Sequence, residues 1–245
     1  MVKSAYACLA PYYDKMNQDC DYDTWSQYLH TLLLQFCKGK TGVDFGCGTG
    51  LITASLSRLG WNIFGVDISP DMLSQASANA AKMGRRLLFV QGDMTNYKIP
   101  KKVDFVLSAC DGVNYLPKDC VKKAFLNAYK GLKSGGVYLF DISSSSKLNA
   151  MDGSVFFDDG DDITLLWNNR KENGALVMDI TLFVKQPNGM FLRKDERHTQ
   201  TVYETEEIIS LLYEAGFAAV HAFSFGTTEI PNGNENRIQF IAIKS

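Results

Sequence analysis

Five short apolar runs alternate with helix-patterned stretches between Gly42 and Ile142, and no other property of the chain restricts its fold as much. The runs are GVDFGCG, WNIFGVD, RLLFVQGD, VDFVLSAC and GGVYLFDI. Each is close to continuously apolar, as expected of strands covered on both faces, and the alternation predicts a doubly wound, mostly parallel α/β sheet. Among the intervening helices, LITASLSRLG closes at Gly60. SPDMLSQASANAAKMG has Ser69 as N-cap, Pro70 in the first helical position and Gly84 past its end. KDCVKKAFLNAYKGL also reads as helix. Upstream, TWSQYLHTLLLQFC puts Trp25, Tyr28, Leu29, Leu32, Leu33 and Phe36 on one helical stripe, whereas Pro11 is expected to interrupt any long helix among residues 1–24.

After Ile142 the pattern changes. SSSSKLNAMDGS reads as a loop-like hinge. Asn173-Gly174 and Asn188-Gly189 are hairpin signals, and Leu176, Met178, Ile180, Leu182 and Val184 alternate with more polar neighbours. A three-stranded antiparallel meander with one buried face follows from this. EEIISLLYEAGF then resumes the helical pattern and stops at Gly216, with strands near AVHAFSF and RIQFIAIKS. The expected organisation is an α/β domain of residues 1–142 and 204–245, built on a seven-stranded, mostly parallel sheet. Residues 143–203 form an inserted antiparallel β region that lids the substrate.

Charge and cysteine usage narrow the partners. A net charge of −2, with basic doublets scattered at Arg85-Arg86, Lys101-Lys102 and Lys122-Lys123, speaks against a nucleic-acid surface. The six cysteines form no C-x-x-C pair, so no metal site is expected and free thiols in a reducing compartment are. The N-terminal stretch lacks the apolar core of a signal peptide, and no run approaches the ~20 apolar residues of a membrane helix. A cytoplasmic protein without membrane partners, monomeric or homodimeric, is the expectation.

The stretch VDFGCGTG concentrates the chemistry. Gly46, Gly48 and Gly50 form G-x-G-x-G, and Leu51 stands where a dinucleotide-binding turn has its third glycine. Asp44 at the mouth of the turn would repel a pyrophosphate but pair with a cation. Asp67 ends the second strand and Asp93 the third. Three carboxylates thus stand at the carboxyl ends of parallel strands, where ligands of such sheets bind. A ligand with an amine, a ribose and an adenine but no phosphate suits that row, and S-adenosylmethionine is one. A nicotinamide-dependent oxidoreductase is the alternative on the same architecture, and a non-catalytic S-adenosylmethionine-binding module is a third reading.

On these residues the chain resembles the class I S-adenosylmethionine-dependent methyltransferases. VDFGCGTG matches their first motif, GVDISPDML the second and QGDM the third. SACDGVNYL, and YYDKM followed by DYDTW, resemble a subgroup of small bacterial members. The resemblance implies that Gly46, Cys47, Gly48 and Gly50 bring backbone close to the methionine part of the cofactor, with Asp44 accepting from its amino group. It implies that Asp67 binds the ribose hydroxyls, that Ile68, Met72 and Met94 enclose the adenine, and that Asp93 accepts from the adenine amine. Cys110 would line the methionine end through its backbone, and Tyr13 and Tyr6 would close over the cofactor. Met72 and Met94 read equally well as core, and Cys47 as a space-filling residue rather than a nucleophile.

The implied activity is methyl transfer by in-line displacement to a nitrogen or oxygen of a small molecule. The fourth-strand loop supplies Asp111, Asn114 and Tyr115 as acceptor contacts. It lacks the D-P-P-Y or N-P-P-Y stretch, and the proline before Cys110, that related enzymes use on nucleobases. His198 is a candidate base: with a two-residue second hairpin loop, Asp179 falls opposite it. A solvated strand histidine is the competing reading. Asn114, Tyr115 and His198 are therefore the catalytic candidates. Arg170, Arg197 and Arg237 are either carboxylate-binding or surface charge.

Overall fold

The computed structural model describes Tyr6 and residues 9–245. The free thiol expected at Cys8, and part of the N-terminal stretch judged against a signal peptide, lie outside these residues. In chain order the elements are α1 (Ala10–Met16), α2 (Tyr22–Phe36), β1 (Thr41–Phe45), α3 (Leu51–Arg58), β2 (Asn62–Asp67), α4 (Pro70–Lys82), β3 (Phe89–Gln91) and β4 (Val103–Ser108). A 3-10 turn (Gly112–Tyr115), α5 (Lys118–Gly131) and β5 (Leu132–Ser143) follow. Then come α6 (Ser145–Ala150), β6 (Val155–Asp159), β7 (Ile163–Glu172), β8 (Ala175–Lys185), β9 (Phe191–Thr201), α7 (Thr205–Glu214), β10 (Ala219–Ser224) and β11 (Arg237–Ile243).

The main sheet has seven strands in the order β10-β11-β5-β4-β1-β2-β3. Strands β1 to β5 pair in parallel, and β11 runs antiparallel between β5 and β10. The chain leaves β1 towards β2 and β3, then returns to β4 on the other side of β1. This is a topological switch, which opens a crevice at the carboxyl ends of β1 and β4. Apolar side chains cover both faces. Val43, Phe45, Val106, Phe125, Phe140, Phe217 and Phe240 fill one layer. Leu29, Leu33, Leu56, Phe105, Leu107 and Leu139 join α2 and α3 to the other.

The second sheet is antiparallel with the order β6-β7-β8-β9, one strand more than the predicted meander. The extra strand, β6, has all five residues exposed, so burial imprinted no alternation on it that could be read. The inner face of this sheet packs Leu165, Leu176, Met178, Ile180 and Leu182 against Leu9 and Leu148, with Tyr6 and Tyr12 alongside. Pro11 lies in the first turn of the seven-residue α1, where its missing N–H costs nothing. One further expectation changes. The serine run is not a loop: Ser144 caps α6 by accepting from the Lys147 amide.

The helix stops read at Gly60, Gly84 and Gly216 all have positive φ. The third glycine of the turn has a packing duty. Gly50 has φ +71°, and a Cβ there would lie 2.8 Å from Ala76 Cβ and 2.9 Å from Phe89. Gly48 has φ +54° but would meet nothing within 4 Å. Left-handed backbone costs a non-glycine residue about 1–2 kcal/mol. Gly48→Ala is therefore expected to lower stability by that amount, and Gly50→Ala by distinctly more, since it also drives α4 from the sheet. Paired urea melts measure the difference, and equal losses would contradict the packing role of Gly50.

Candidate functional site

The turn after β1 is held open by its own hydrogen bonds. The Gly46 and Cys47 amides donate to Val66 O at 2.7 and 3.2 Å, and the Gly50 amide to Cys47 O at 2.9 Å. The Asp67 carboxylate closes the lip, accepting from the Gly48 amide and the Ser69 amide at 2.8 Å each. Asp67 is buried, and burial raises its carboxyl above the ordinary value despite those two donors. Cys47 Sγ packs under the turn, where a Cβ on Gly65 would meet it at 2.6 Å, so the thiol fills space as expected.

Beneath the turn, Asp44 is 1% exposed. Its Oδ2 accepts from Thr53 Oγ1 at 2.5 Å, while Oδ1 has no partner among the described residues. Desolvation pushes its carboxyl up to about 7, against the pull of the Thr53 hydroxyl. A buried carboxylate oxygen without a donor is costly, and a cationic or N–H-bearing ligand relieves that cost. The open space before Gly48, the orphaned oxygen of Asp44 and the lip carboxylate of Asp67 together fit a ligand with an amine and hydroxyls.

Met94 Cε lies 3.1 Å from where a Gly46 Cβ would be and 4.0 Å from that of Gly112, so it bridges the glycine turn and the fourth-strand loop. Ile68 is 59% exposed beside Asp67, whereas Met72 is 2% exposed and belongs to the core. The Asp93 carboxylate accepts from the Thr95 amide at 2.8 Å. Helix α1, which carries Tyr13, is pinned to the turn by Asp14. That carboxylate accepts from Thr49 Oγ1 and from Asn79 Nδ2, both at 2.6 Å. Sequence reasoning missed Asp14, because nothing local separates it from an ordinary surface acid.

The fourth-strand loop is more constrained than its sequence suggests. Cys110 and Asp111 are both left-handed, at φ 59° and 50°. Their amides donate to the two oxygens of fully buried Asp141, at 2.9 and 2.8 Å. Asp111 in turn accepts from Ser143 Oγ and Gln200 Nε2, both at 2.9 Å. Arg237 bonds to Asp141, stands 3.5 Å from Asp111 and lies over the Trp25 ring at 4.8 Å. Arg237 is therefore engaged by two internal carboxylates. Arg170 and Arg197 both pair with Asp179 on the outer face of the second sheet.

Asn114 is also committed. Its Nδ2 donates to Ser143 O and Thr201 O at 3.2 and 3.1 Å, and its Oδ1 accepts from the Ser143 amide at 3.0 Å. Wholly buried, it clamps the 3-10 turn to β5 and β9, with no N–H left for a substrate. The catalytic expectation for Asn114 gives way to this structural one.

The partner predicted for His198 changes too. Residues 186–190 connect β8 and β9, a longer loop than the two residues assumed, so Met178 stands opposite His198 and Asp179 opposite Arg197. His198 is 2% exposed, not solvated. Its carboxylate comes from its own strand: Glu196 Oε2 lies 2.9 Å from His198 Nε2. The Glu196 oxygens also accept from the Tyr6 and Leu9 amides at 3.1 and 3.2 Å. An ionised carboxylate accepts only, so Nε2 donates to Glu196, and Nδ1 is buried without a partner among the described residues.

Tyr6 and Tyr115 flank the imidazole, with ring centroids 4.4 and 5.9 Å away, and their hydroxyls bond to each other. Burial raises both phenols above the ordinary value, so both stay neutral. His198, Tyr6, Tyr13, Tyr115 and Cys110 line one cavity of about 580 Å³ between the fourth-strand loop and the second sheet. Among the described residues no cluster of metal-ligating side chains occurs, and no helix is long and apolar enough to cross a membrane.

Comparison with known proteins places this geometry. A family model described as "Methyltransferase domain" matches residues 43–136. A "Putative methyltransferase" of Geobacillus sp. (strain WCH70) is 31% identical over 245 residues, covering 98% of this chain and 99% of that protein. The crystal structure of an S-adenosylmethionine-dependent methyltransferase from Clostridium acetobutylicum ATCC 824 superposes with a TM-score of 0.86 at 28% identity, covering 98% of this chain and 99% of the other. The sugar N-methyltransferase KedS8 from Streptoalloteichus sp. ATCC 53650 shares the fold, with a TM-score of 0.78 at 18% identity and coverage of 95% and 92%.

Two predictions follow from the buried charges. Arg237→Met removes the guanidinium that bonds to Asp141 and stands beside Asp111, and breaking such a pair costs about 3–5 kcal/mol, readable in urea. Asp44 holds its proton more tightly folded than unfolded, between its ordinary 3.8 and about 7. Its contribution therefore makes the protein less stable as pH rises through that window, at up to about 1.4 kcal/mol per unit, and flat above it. The stability difference between wild type and Asp44→Asn is expected to grow in favour of the variant from pH 4 to 7; a pH-independent difference would refute the buried, partnerless carboxyl.

Proposed function

This chain belongs to the class I S-adenosylmethionine-dependent methyltransferases, and we propose that it methylates a nitrogen or oxygen of a small molecule held under the second sheet. Membership makes it an enzyme and displaces the nicotinamide and non-catalytic alternatives. S-adenosylmethionine supplies, when bound, a methyl group on a sulfonium that leaves with the bonding electrons. Asp44 Oδ1 accepts from its amino group, Asp67 takes the ribose hydroxyls at the lip, and the bare Gly46–Gly48 backbone allows close approach. Ile68, Asp93 and Met94 enclose the adenine side. Tyr13, tethered through Asp14, closes the cleft with Tyr6. Residues 143–203 act as the lid.

One observation supports the acceptor's position: an oriented imidazole, His198 held by Glu196, lines the cavity next to the fourth-strand loop, and its Nδ1 has no partner among the described residues. His198 Nδ1 takes the proton that the acceptor nitrogen or oxygen loses, and Glu196 stabilises the imidazolium formed. Tyr6 and Tyr115 wall the imidazole off from water. The rest of the acceleration comes from alignment, worth roughly 7–11 kcal/mol in well-oriented pairs. A small acceptor suits a cavity of about 580 Å³ roofed by sheet, and KedS8, on the same fold, is named for such an acceptor.

Cofactor with a deuterated methyl group, incubated with cell extract and separated by mass, is expected to place label in the low-molecular-mass fraction. Label found only in RNA or protein would overturn the small-molecule reading. His198→Asn is expected to lower kcat by roughly 10²–10⁴-fold, with Glu196→Gln intermediate. Calorimetric affinity for S-adenosylhomocysteine should stay unchanged in both variants. Full activity of His198→Asn would exclude the imidazole as base.

A further inference from the structure

The second sheet lays a row of three residues across the roof of the cavity: Asn169 on β7, Met178 on β8 and His198 on β9 are direct cross-strand neighbours. Direct neighbours share a face, and all three are buried and line the cavity. Two inter-strand steps put the Asn169 and His198 backbones about 10 Å apart. His198 belongs to the proton transfer proposed above. Asn169 has no part in it, yet it is built as carefully.

Its amide orientation is dictated by its neighbours. Ser154 Oγ donates to Met151 O at 2.6 Å, so that hydroxyl can only accept from Asn169 Nδ2, 3.0 Å away. The Asn169 main chain also exchanges bonds with the same turn, donating to Ser154 O at 3.0 Å and accepting from the Gly153 amide at 3.1 Å. The residue is therefore pinned with Oδ1 left over. That oxygen is buried and has no partner among the described residues. Trp25 and Trp167 line the same cavity, and their indole N–H groups are likewise buried without a partner among the described residues. Unpaired buried polar atoms cost about 1–3 kcal/mol each, and native proteins keep them where a ligand or water completes the bond.

Resting on the small-molecule reading, we infer that the methyl acceptor carries at least two hydroxyl or amino groups besides the methylated atom, one of which donates to Asn169 Oδ1. The set of two acceptors, Asn169 Oδ1 and His198 Nδ1, and two donors, the indoles, matches hydroxyls in particular, since each hydroxyl both gives and receives. A purely apolar acceptor, or one with a single polar atom, leaves at least two of the four unpaired. Asn169 thus sets specificity, while His198 serves the reaction.

The test uses the deuteromethyl assay with full-length protein and cell extract. Peracetylation of the labelled product counts its free hydroxyl and amino groups by mass, and two or more are expected. Asn169→Leu removes the acceptor atom at similar volume and is expected to raise KM for the purified acceptor roughly tenfold to hundredfold. Asn169→Asp keeps an acceptor oxygen and is expected to recover most of that loss. Unchanged affinity for S-adenosylhomocysteine shows that each variant is folded. A product with fewer than two such groups, or an unaltered KM in Asn169→Leu, overturns the inference alone. Absence of any labelled small molecule overturns the small-molecule reading and this inference together.

Discussion

The carboxylate of Asp141 joins the parts of this protein that would otherwise be independent. It lies at the end of β5, wholly buried, and accepts both left-handed amides of the loop after β4. Arg237 at the start of β11 neutralises it and also reaches Asp111, which receives Gln200 from β9 of the second sheet. Desolvation alone would make such charges costly. Arg237 stays charged because two carboxylates outweigh its loss of water, and Trp25 covers its guanidinium face. The fourth-strand loop, and with it the placement of Tyr115, depends on this cluster.

Around that anchor the two ends of the cavity follow different rules. On the glycine side the protein presents backbone and carboxylates, with side chains removed where a ligand must come close. On the sheet side it presents aromatic and apolar surface with a few oriented polar atoms. Two of those residues are aimed by a second group: Glu196 holds His198 and Ser154 holds Asn169, while on the glycine side Asp14 holds α1. Pre-orientation of this kind spares the cost of ordering at the moment of reaction, which suits a transfer whose chemistry is carried by the cofactor and whose protein contribution is alignment.

Much of the first region is legible in the sequence. Gly46, Gly48, Asp44 and Asp67 are local: a turn with positive φ requires glycine, and a strand-end acid follows its strand. The second region was only half legible. Its hairpin at Asn173-Gly174 is a two-residue turn, as the Asn-Gly pair implies. The next loop is longer, and its length shifted the register by one residue, replacing Asp179 with Met178 opposite His198. Strand β6 escaped notice because it buries nothing. Asn114 looked like a substrate contact because its type and place suggested one, while the three backbone groups that occupy it come from residues far away in sequence.

The sequence by itself determined the α/β alternation, the glycine turn, the strand-end acids and the presence of an antiparallel insertion, because periodicity, turn chemistry and caps are properties of neighbours along the chain. Tertiary structure alone decided that Glu196 rather than Asp179 orients His198, that Arg237 is engaged by two internal carboxylates, and that Asn169 shares a roof with the imidazole. Those outcomes depend on register between strands and on burial among distant segments, and one residue of loop length is enough to change every pairing beyond it.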